Sequence, residues 1–211
     1  AADPDFALAE VGLAEVAIGR HLFDDLSIEN AAALAEPAIA RALTLDAGSA
    51  EAYAARGLLR TEQWRLDEAE TDLRRAIALN PNLADAYVRL AIALEYAGRP
   101  RDALPVLDQA RELDPLHYML HVRRCLVLQN IGRYADARAA CANAIDVEPA
   151  LPNAVWATAL IALAEGRLDA AIDGYRRAIE LAPSRADLLV QLGWLYLDAG
   201  VPARAATSFD A

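Results

Sequence analysis

Four prolines stand at a fixed interval in this sequence: Pro81, Pro115, Pro149 and Pro183 follow one another every 34 residues. A period of this size is typical of stacked supersecondary units, each of which buries its apolar face only against its neighbours. If each proline is position 32 of its unit, four full units cover residues 50–83, 84–117, 118–151 and 152–185. A shortened fifth unit then covers residues 186–211.

Other residues fall into the same register and indicate two helices in each unit. Position 15 is glycine in four units and Trp64 in the remaining one, and glycine there would end a helix by adopting a positive φ. Position 8 is small in every unit, so two helices can approach each other closely. Ala, Leu, Arg and Glu dominate the composition, and these are good helix formers. We therefore predict an all-α fold of about twelve helices in antiparallel pairs, with no sheet.

The last unit matches a known family pattern best. It carries Leu189, Leu192, Gly193, Tyr196, Ala205 and Phe209 at set offsets. This pattern, which recurs over residues 50–211, resembles the tetratricopeptide repeat (TPR) family. The resemblance implies a single right-handed superhelical solenoid over residues 1–211. It also implies a protein–protein interaction scaffold, whose first helices line a concave groove that binds a peptide or a helical segment of a protein partner.

Residues 1–49 form a divergent first repeat in this register. If Pro4 is position 32 of a preceding unit, nine residues are inserted near the stretch HLFDDLSIEN as a lengthened loop, with Ser27 as the N-cap of the second helix. This repeat looks like TPR segments of multidomain bacterial regulators. An alternative function is therefore a regulatory or sensory region of a larger transcription regulator, cyclase or kinase, which would contact another domain of the same chain.

Both ends of the sequence fall inside repeats. Residues 1–3 correspond to positions 29–31 of a preceding unit, and Ala211 is position 26 of the last one. Natural arrays end in a polar capping repeat, and neither end has that pattern. We expect the chain to be a piece of a longer protein, and we expect self-association through the uncapped ends to be open to it.

Charge and motifs argue against several classes of function. The net charge of −11 disfavours nucleic acid and anionic membranes, since both repel an acidic surface. The longest uncharged run, residues 149–164, is too short and too broken by proline to cross a bilayer. The sequence has no Gly-rich phosphate loop, no G-x-S-x-G and no H-E-x-x-H motif, so we expect neither an enzyme nor a cofactor. Its Ala and Arg excess and the lack of a visible secretory signal favour the bacterial cytoplasm.

Cys125 and Cys141 occupy positions 8 and 24 of one unit, and positions that sum to 32 should face each other in an antiparallel pair. The residues favour two buried thiols that behave as small apolar groups. A disulfide is the second interpretation, because the facing geometry allows it, and it would imply an oxidising compartment such as the periplasm. Zinc held by His121, Cys125 and Cys141 is the third, although the spacing is not that of a dedicated site.

In the TPR family, positions 2, 5, 6, 9, 12 and 13 of the first helices point into the groove. Peptide-carboxylate binders of the family carry Lys and Asn there, whereas this chain is mostly apolar, so a carboxylate clamp is not expected. Arg89 and Arg123 are expected to orient acidic groups of the partner, and Trp156 and Trp194 to anchor it. The alternative is that the apolar residues at position 9 are core. The predicted partner-binding residues are Val88, Arg89, Ile92, Val122, Arg123, Leu126, Trp156, Leu160, Gln191 and Trp194.

Overall fold

A computed structural model describes residues 4–23, 26–183 and 185–210, and the regular structure within these ranges consists of twelve α-helices with no strand. Consecutive helices joined by short turns pack as antiparallel pairs, which confirms the predicted all-α fold. The chain divides into two compact units, Ala1–Pro115 and Leu116–Ala211.

The first unit contains α1 to α6. Their bounds are α1 Pro4–Phe23, α2 Ile28–Leu45, α3 Ala50–Glu62, α4 Leu66–Leu79, α5 Ala84–Tyr96 and α6 Pro100–Leu113. The second unit contains α7 to α12. Their bounds are α7 Tyr118–Asn130, α8 Tyr134–Val147, α9 Pro152–Ala164, α10 Leu168–Leu181, α11 Ala186–Asp198 and α12 Pro202–Asp210.

The turn inside each helix pair from α3–α4 to α11–α12 uses the predicted position 15. Gly98 has φ of 73°, and Gly132, Gly166 and Gly200 adopt similar values, in the left-handed region that glycine enters without steric cost. Trp64 takes the same position with φ of 60°, which costs a residue with a side chain about 1–2 kcal/mol. Its ring stacks on Tyr96 at 5.4 Å between centroids. Such a pair contributes roughly 0.5–1.5 kcal/mol, enough to offset much of that cost.

The divergent first repeat differs from its predicted shape. α1 and α2 contain 20 and 18 residues, whereas α3 and α4 contain 13 and 14. The inserted residues therefore lengthen the helices, and the expected long loop is wrong: only residues 24–27 separate α1 from α2. Ser27 does cap α2, since its hydroxyl accepts a hydrogen bond from the Asn30 amide at 3.3 Å. Ile18, Ile39 and Leu59 are buried where α1, α2 and α3 meet.

Positions 8 and 24 face each other within helix pairs, as the register predicts. A methyl group on Gly57 would lie within 2.5 Å of Leu73 Cγ, and one on Gly193 would overlap the ring of Phe209. In the pair α7–α8 the same two positions are Cys125 and Cys141. They form a disulfide, with a Cα–Cα distance of 5.1 Å.

The disulfide corrects the preferred interpretation of two free thiols, because both sulfurs are consumed in the bond. Both cysteines are buried in the unit that α7 to α12 form. A second cluster of that unit lies where α9, α10 and α11 meet, around the buried Tyr175, Leu188 and Leu192. The predicted binding residues lie on α5, α7, α9 and α11, each of which is the first helix of its pair.

Candidate functional site

The predicted binding residues of the first unit all lie on α5. Val88 and Ile92 are only 2% and 7% exposed, so both pack in the interior of the unit. For Ile92, at position 9, this agrees with the alternative that the apolar residues at that position are core. Arg89 lies at the surface of the first helices, although only 15% of its side chain is exposed. Of these three, Arg89 alone can meet a partner.

The other predicted residues belong to the second unit. Val122 is buried at 1% exposure, whereas the indole of Trp194 is 60% exposed. Arg123, Leu126, Leu160, Trp156 and Gln191 are half-buried.

Trp156 belongs to a small polar cluster between α9, α10 and α11. Its ring nitrogen donates to Gln191 Oε1 at 3.4 Å, and the Tyr175 hydroxyl donates to the same oxygen at 2.7 Å. Burial raises the pKa of Tyr175, so the phenol stays protonated and remains a donor. The Arg185 guanidinium lies 6.0 Å from the centroid of the Trp156 ring. These contacts tie Trp156 to its unit, so its truncation would disturb the local structure.

Trp194, in the last helix pair, is more exposed than Trp156 and contacts an aromatic ring. Its ring meets that of Phe209 edge to face, with 5.7 Å between centroids. Because most of its surface is exposed and the Phe209 contact limits its rotation, Trp194 has the properties of a preformed aromatic contact.

A groove opens on the first helices of the first unit, where α1, α3 and α5 lie side by side. We call it the α1–α3–α5 groove; its volume is about 210 Å³. It is lined by Leu8, Val11, Gly12, Glu15, Glu51, Ala54, Leu83, Asp85 and Arg89. Apolar side chains thus alternate with charged ones around one depression.

Small residues account for the open space in the groove. Position 5 is Ala54 here, where the later repeats have Val88, Val122, Trp156 and Val190. Ala54 is buried and packs with Ala76 and Ala86, so no longer side chain fills the depression. On the opposite wall, a methyl group on Gly12 would meet no atom within 4 Å. The groove is therefore a consequence of two small residues on neighbouring helices.

The charge of the groove is negative. Arg89 Nη2 lies 2.7 Å from Glu15 Oε1 and 3.6 Å from Asp85 Oδ2, so carboxylates of its own unit already hold this guanidinium. Glu51 makes no ion pair with any residue that the structure describes. Among the residues that line the groove, three carboxylates stand against one guanidinium. Sequence reasoning missed Glu15 because it lies in the divergent first repeat. It missed Glu51 because, although position 2 was expected to face the groove, binding residues were chosen only from positions 5, 6 and 9.

A second cavity, of about 280 Å³, lies between α2 and α3. Near it, Arg56 donates two hydrogen bonds of 2.8 Å to Asp72, and Arg60 donates one of 2.5 Å. Asp72 is 3% exposed, and its hydrogen bonds with Arg56 raise the pKa of that guanidinium. The two arginines are already paired internally, so this cavity holds a structural network.

Metal and membrane sites find no support in the described part of the chain. Cys125 and Cys141 are joined in the disulfide, which removes the thiolates that the zinc alternative requires. No group of three or more His, Cys, Asp or Glu side chains among the described residues could hold a metal ion. None of the twelve described helices has both the length and the apolar character needed to cross a bilayer.

The matches to known protein families fall within the repeats counted from the prolines. Family models described as tetratricopeptide repeat match residues 50–83, 88–128 and 122–186, which together span more than half of the chain. No curated protein matches the sequence.

Solved structures with the same fold are numerous. TTC0263, a thermophilic TPR protein in Thermus thermophilus, is 25% identical with a TM-score of 0.75, over 90% of this chain and 99% of that one. PilW, a widely conserved type IV pilus biogenesis factor, is 20% identical with a TM-score of 0.77, over 96% and 90%. YrrB, a TPR protein with an unusual peptide-binding site, is 21% identical with a TM-score of 0.58, over 92% and 91%.

Proposed function

This chain belongs to the tetratricopeptide repeat family and is a protein-interaction scaffold; we propose that it binds a peptide segment of a protein partner in the α1–α3–α5 groove. The observation that carries the proposal is the open depression of about 210 Å³ on the first helices. Pockets for small molecules typically span about 300–1,000 Å³. The groove therefore suits one or two side chains of a peptide better than a whole metabolite.

The lining supports a peptide partner. Leu8 and Leu83 supply apolar surface, and Leu8 is 51% exposed. Covering such surface is favourable by about 25 cal/mol per Å². The charged residues around it can fix the register of a bound segment, while the apolar floor supplies affinity.

In the second unit, Trp194 remains a proposed partner contact. Its exposed ring can remove a large apolar area from water, and its contact with Phe209 limits the entropy lost on binding. Trp156 is withdrawn from this role, because its hydrogen bond with Gln191 gives it a structural one.

The disulfide bears on where the protein works. Disulfides persist in oxidising compartments and are rare in the cytosol. The Cys125–Cys141 bond therefore supports the bacterial periplasm over the cytoplasm as the proposed location.

Gly12→Leu tests the groove without threatening the fold. The new side chain would occupy the depression, a β-carbon at Gly12 meets no atom within 4 Å, and leucine raises helix stability by about 1 kcal/mol over glycine. Gly19→Leu is the matched control, since Gly19 is also in α1, also has free space, and does not line the groove.

The measurement is selection of short random peptides displayed on phage against the whole 211-residue chain. Peptides enriched on the wild type should lose at least about tenfold in affinity for Gly12→Leu and bind Gly19→Leu normally. The proposal fails if no peptide is enriched. It also fails if the enriched peptides bind both variants as tightly as the wild type.

A further inference from the structure

We infer that the segment bound in the α1–α3–α5 groove presents a basic side chain, lysine or arginine, next to an apolar one. The inference depends on the proposed function and adds the chemical class of the partner. It reverses the partner charge expected from the sequence, which predicted that Arg89 would orient an acidic group of the partner.

The first step is the state of Arg89. Its guanidinium is clamped between Glu15 at 2.7 Å and Asp85 at 3.6 Å. An incoming carboxylate could reach Arg89 only by displacing one of these groups, and it would then lie beside two other acids. Like charges brought together in a partly buried site repel strongly. An acidic partner is therefore disfavoured by the same residues that hold Arg89.

The second step is the free carboxylate. Glu51 lies in the first turn of α3, is half-buried, and forms no ion pair with the described residues. A half-buried carboxylate next to apolar surface gains more from a cation than a fully solvated one does, because screening by water is weaker there. An ammonium or guanidinium group placed at Glu51 would also reduce the excess negative charge of the groove.

The third step is the apolar floor. Lysine and arginine carry an aliphatic stem that packs along apolar surface while the charged head reaches a polar partner. Leu8 and Ala54 line the same depression as Glu51. A basic side chain can therefore use both the floor and the rim, which a short polar side chain cannot do.

The net charge of the whole chain also favours a positively charged partner segment. With 31 acidic and 20 basic residues its net charge is −11, so its field attracts a basic segment and speeds its encounter.

The composition of the selected peptides is the first test. Peptides that Gly12→Leu no longer binds should contain an excess of lysine and arginine over the starting library. An excess of aspartate and glutamate, or no excess of basic residues, overturns the inference. If Gly12→Leu abolishes binding in that case, the groove still binds peptides, so the proposed function survives separately.

The second test uses the most enriched peptide, synthesised and measured with Glu51→Gln. Its affinity should fall by about tenfold at low salt, and added salt should weaken the wild-type complex more than the variant complex. Glu29→Gln is the control: Glu29 occupies the same place in the first turn of α2, also behind a capping serine, but lies outside the groove. Equal affinity for all three proteins, or an equal loss in both variants, would contradict the assignment.

Discussion

Replacing Asp72 by valine should show how a buried charge network is built into one repeat of this array. Asp72 accepts hydrogen bonds from Arg56 and Arg60 and is 3% exposed. These three residues occupy positions 7, 11 and 23. In the next repeat the same positions are Leu90, Leu94 and Val106, so the protein itself offers an apolar version of the network.

The single change Asp72→Val leaves Arg56 without its carboxylate and leaves Arg60 with only its 3.4 Å contact to Glu68. Breaking a buried ion pair in this way costs about 3–5 kcal/mol. The side chains of Arg56 and Arg60 keep 32% and 21% of their surface exposed, so both can turn partly into water and recover hydration. We therefore expect a loss of about 2–3 kcal/mol in the free energy of unfolding.

The triple change Arg56→Leu, Arg60→Leu and Asp72→Val removes the charges together. Apolar replacement of a whole buried network is often neutral or stabilising, so the triple variant should lie within about 1 kcal/mol of the wild type or above it. The difference between the two variants combines the penalty of arginines that have lost Asp72 with the packing gained by two leucines.

Urea denaturation followed by far-ultraviolet circular dichroism gives the free energies. Repeat arrays can unfold in parts, so hydrogen exchange of α3 and α4 should accompany it and show that the loss is local. The reasoning is refuted if Asp72→Val is as stable as the wild type. It is equally refuted if the triple variant is less stable than the single one.

Three further predictions concern the contact between positions 8 and 24. Changing both Cys125 and Cys141 to alanine should lower stability by about 3 kcal/mol, since the bond closes a loop of sequence separation 16; thermal unfolding measures this. Untreated native protein should contain no reactive thiol and reduced protein two, and two thiols before reduction would contradict the periplasmic proposal. Gly57→Ala should lower the free energy of unfolding by about 1–3 kcal/mol although alanine has the better helix propensity, because the new methyl group would collide with the buried Leu73. A variant that urea denaturation shows to be more stable than the wild type would mean that the two helices can move apart without cost.

Much of the fold follows from periodicity alone. The units counted from the prolines begin at Ala50, Ala84, Tyr118, Pro152 and Ala186, and a helix begins at each of these residues. Proline and glycine act through local backbone geometry, so their effect does not depend on distant neighbours. The first repeat lacks this spacing, and there the expected loop proved to be additional helix.

The candidate site was less predictable, because burial depends on what each residue meets across the fold. Val88 and Ala54 share position 5, yet Ala54 leaves a groove above it while Val88 fills its site. The charge of the groove depends on Glu15, which lies 74 residues from Arg89 in the sequence and in the one repeat whose register the prolines do not define. A repeat pattern identifies which positions face inward, but it does not show which distant carboxylate neutralises a cation there.

Positions 8 and 24 show what such a pattern does preserve. Gly57 faces Leu73, Gly193 faces Phe209, and Cys125 faces Cys141. In two pairs a glycine accommodates a large partner, and in the third two medium residues share the same space through a covalent bond. In each pair the two positions share the limited space of a close helix approach, so the size of one side chain restricts the other. The disulfide is thus one solution to a packing requirement that these three helix pairs share. On the groove side, by contrast, Ala54 and Gly12 leave the open space that the proposed peptide would occupy.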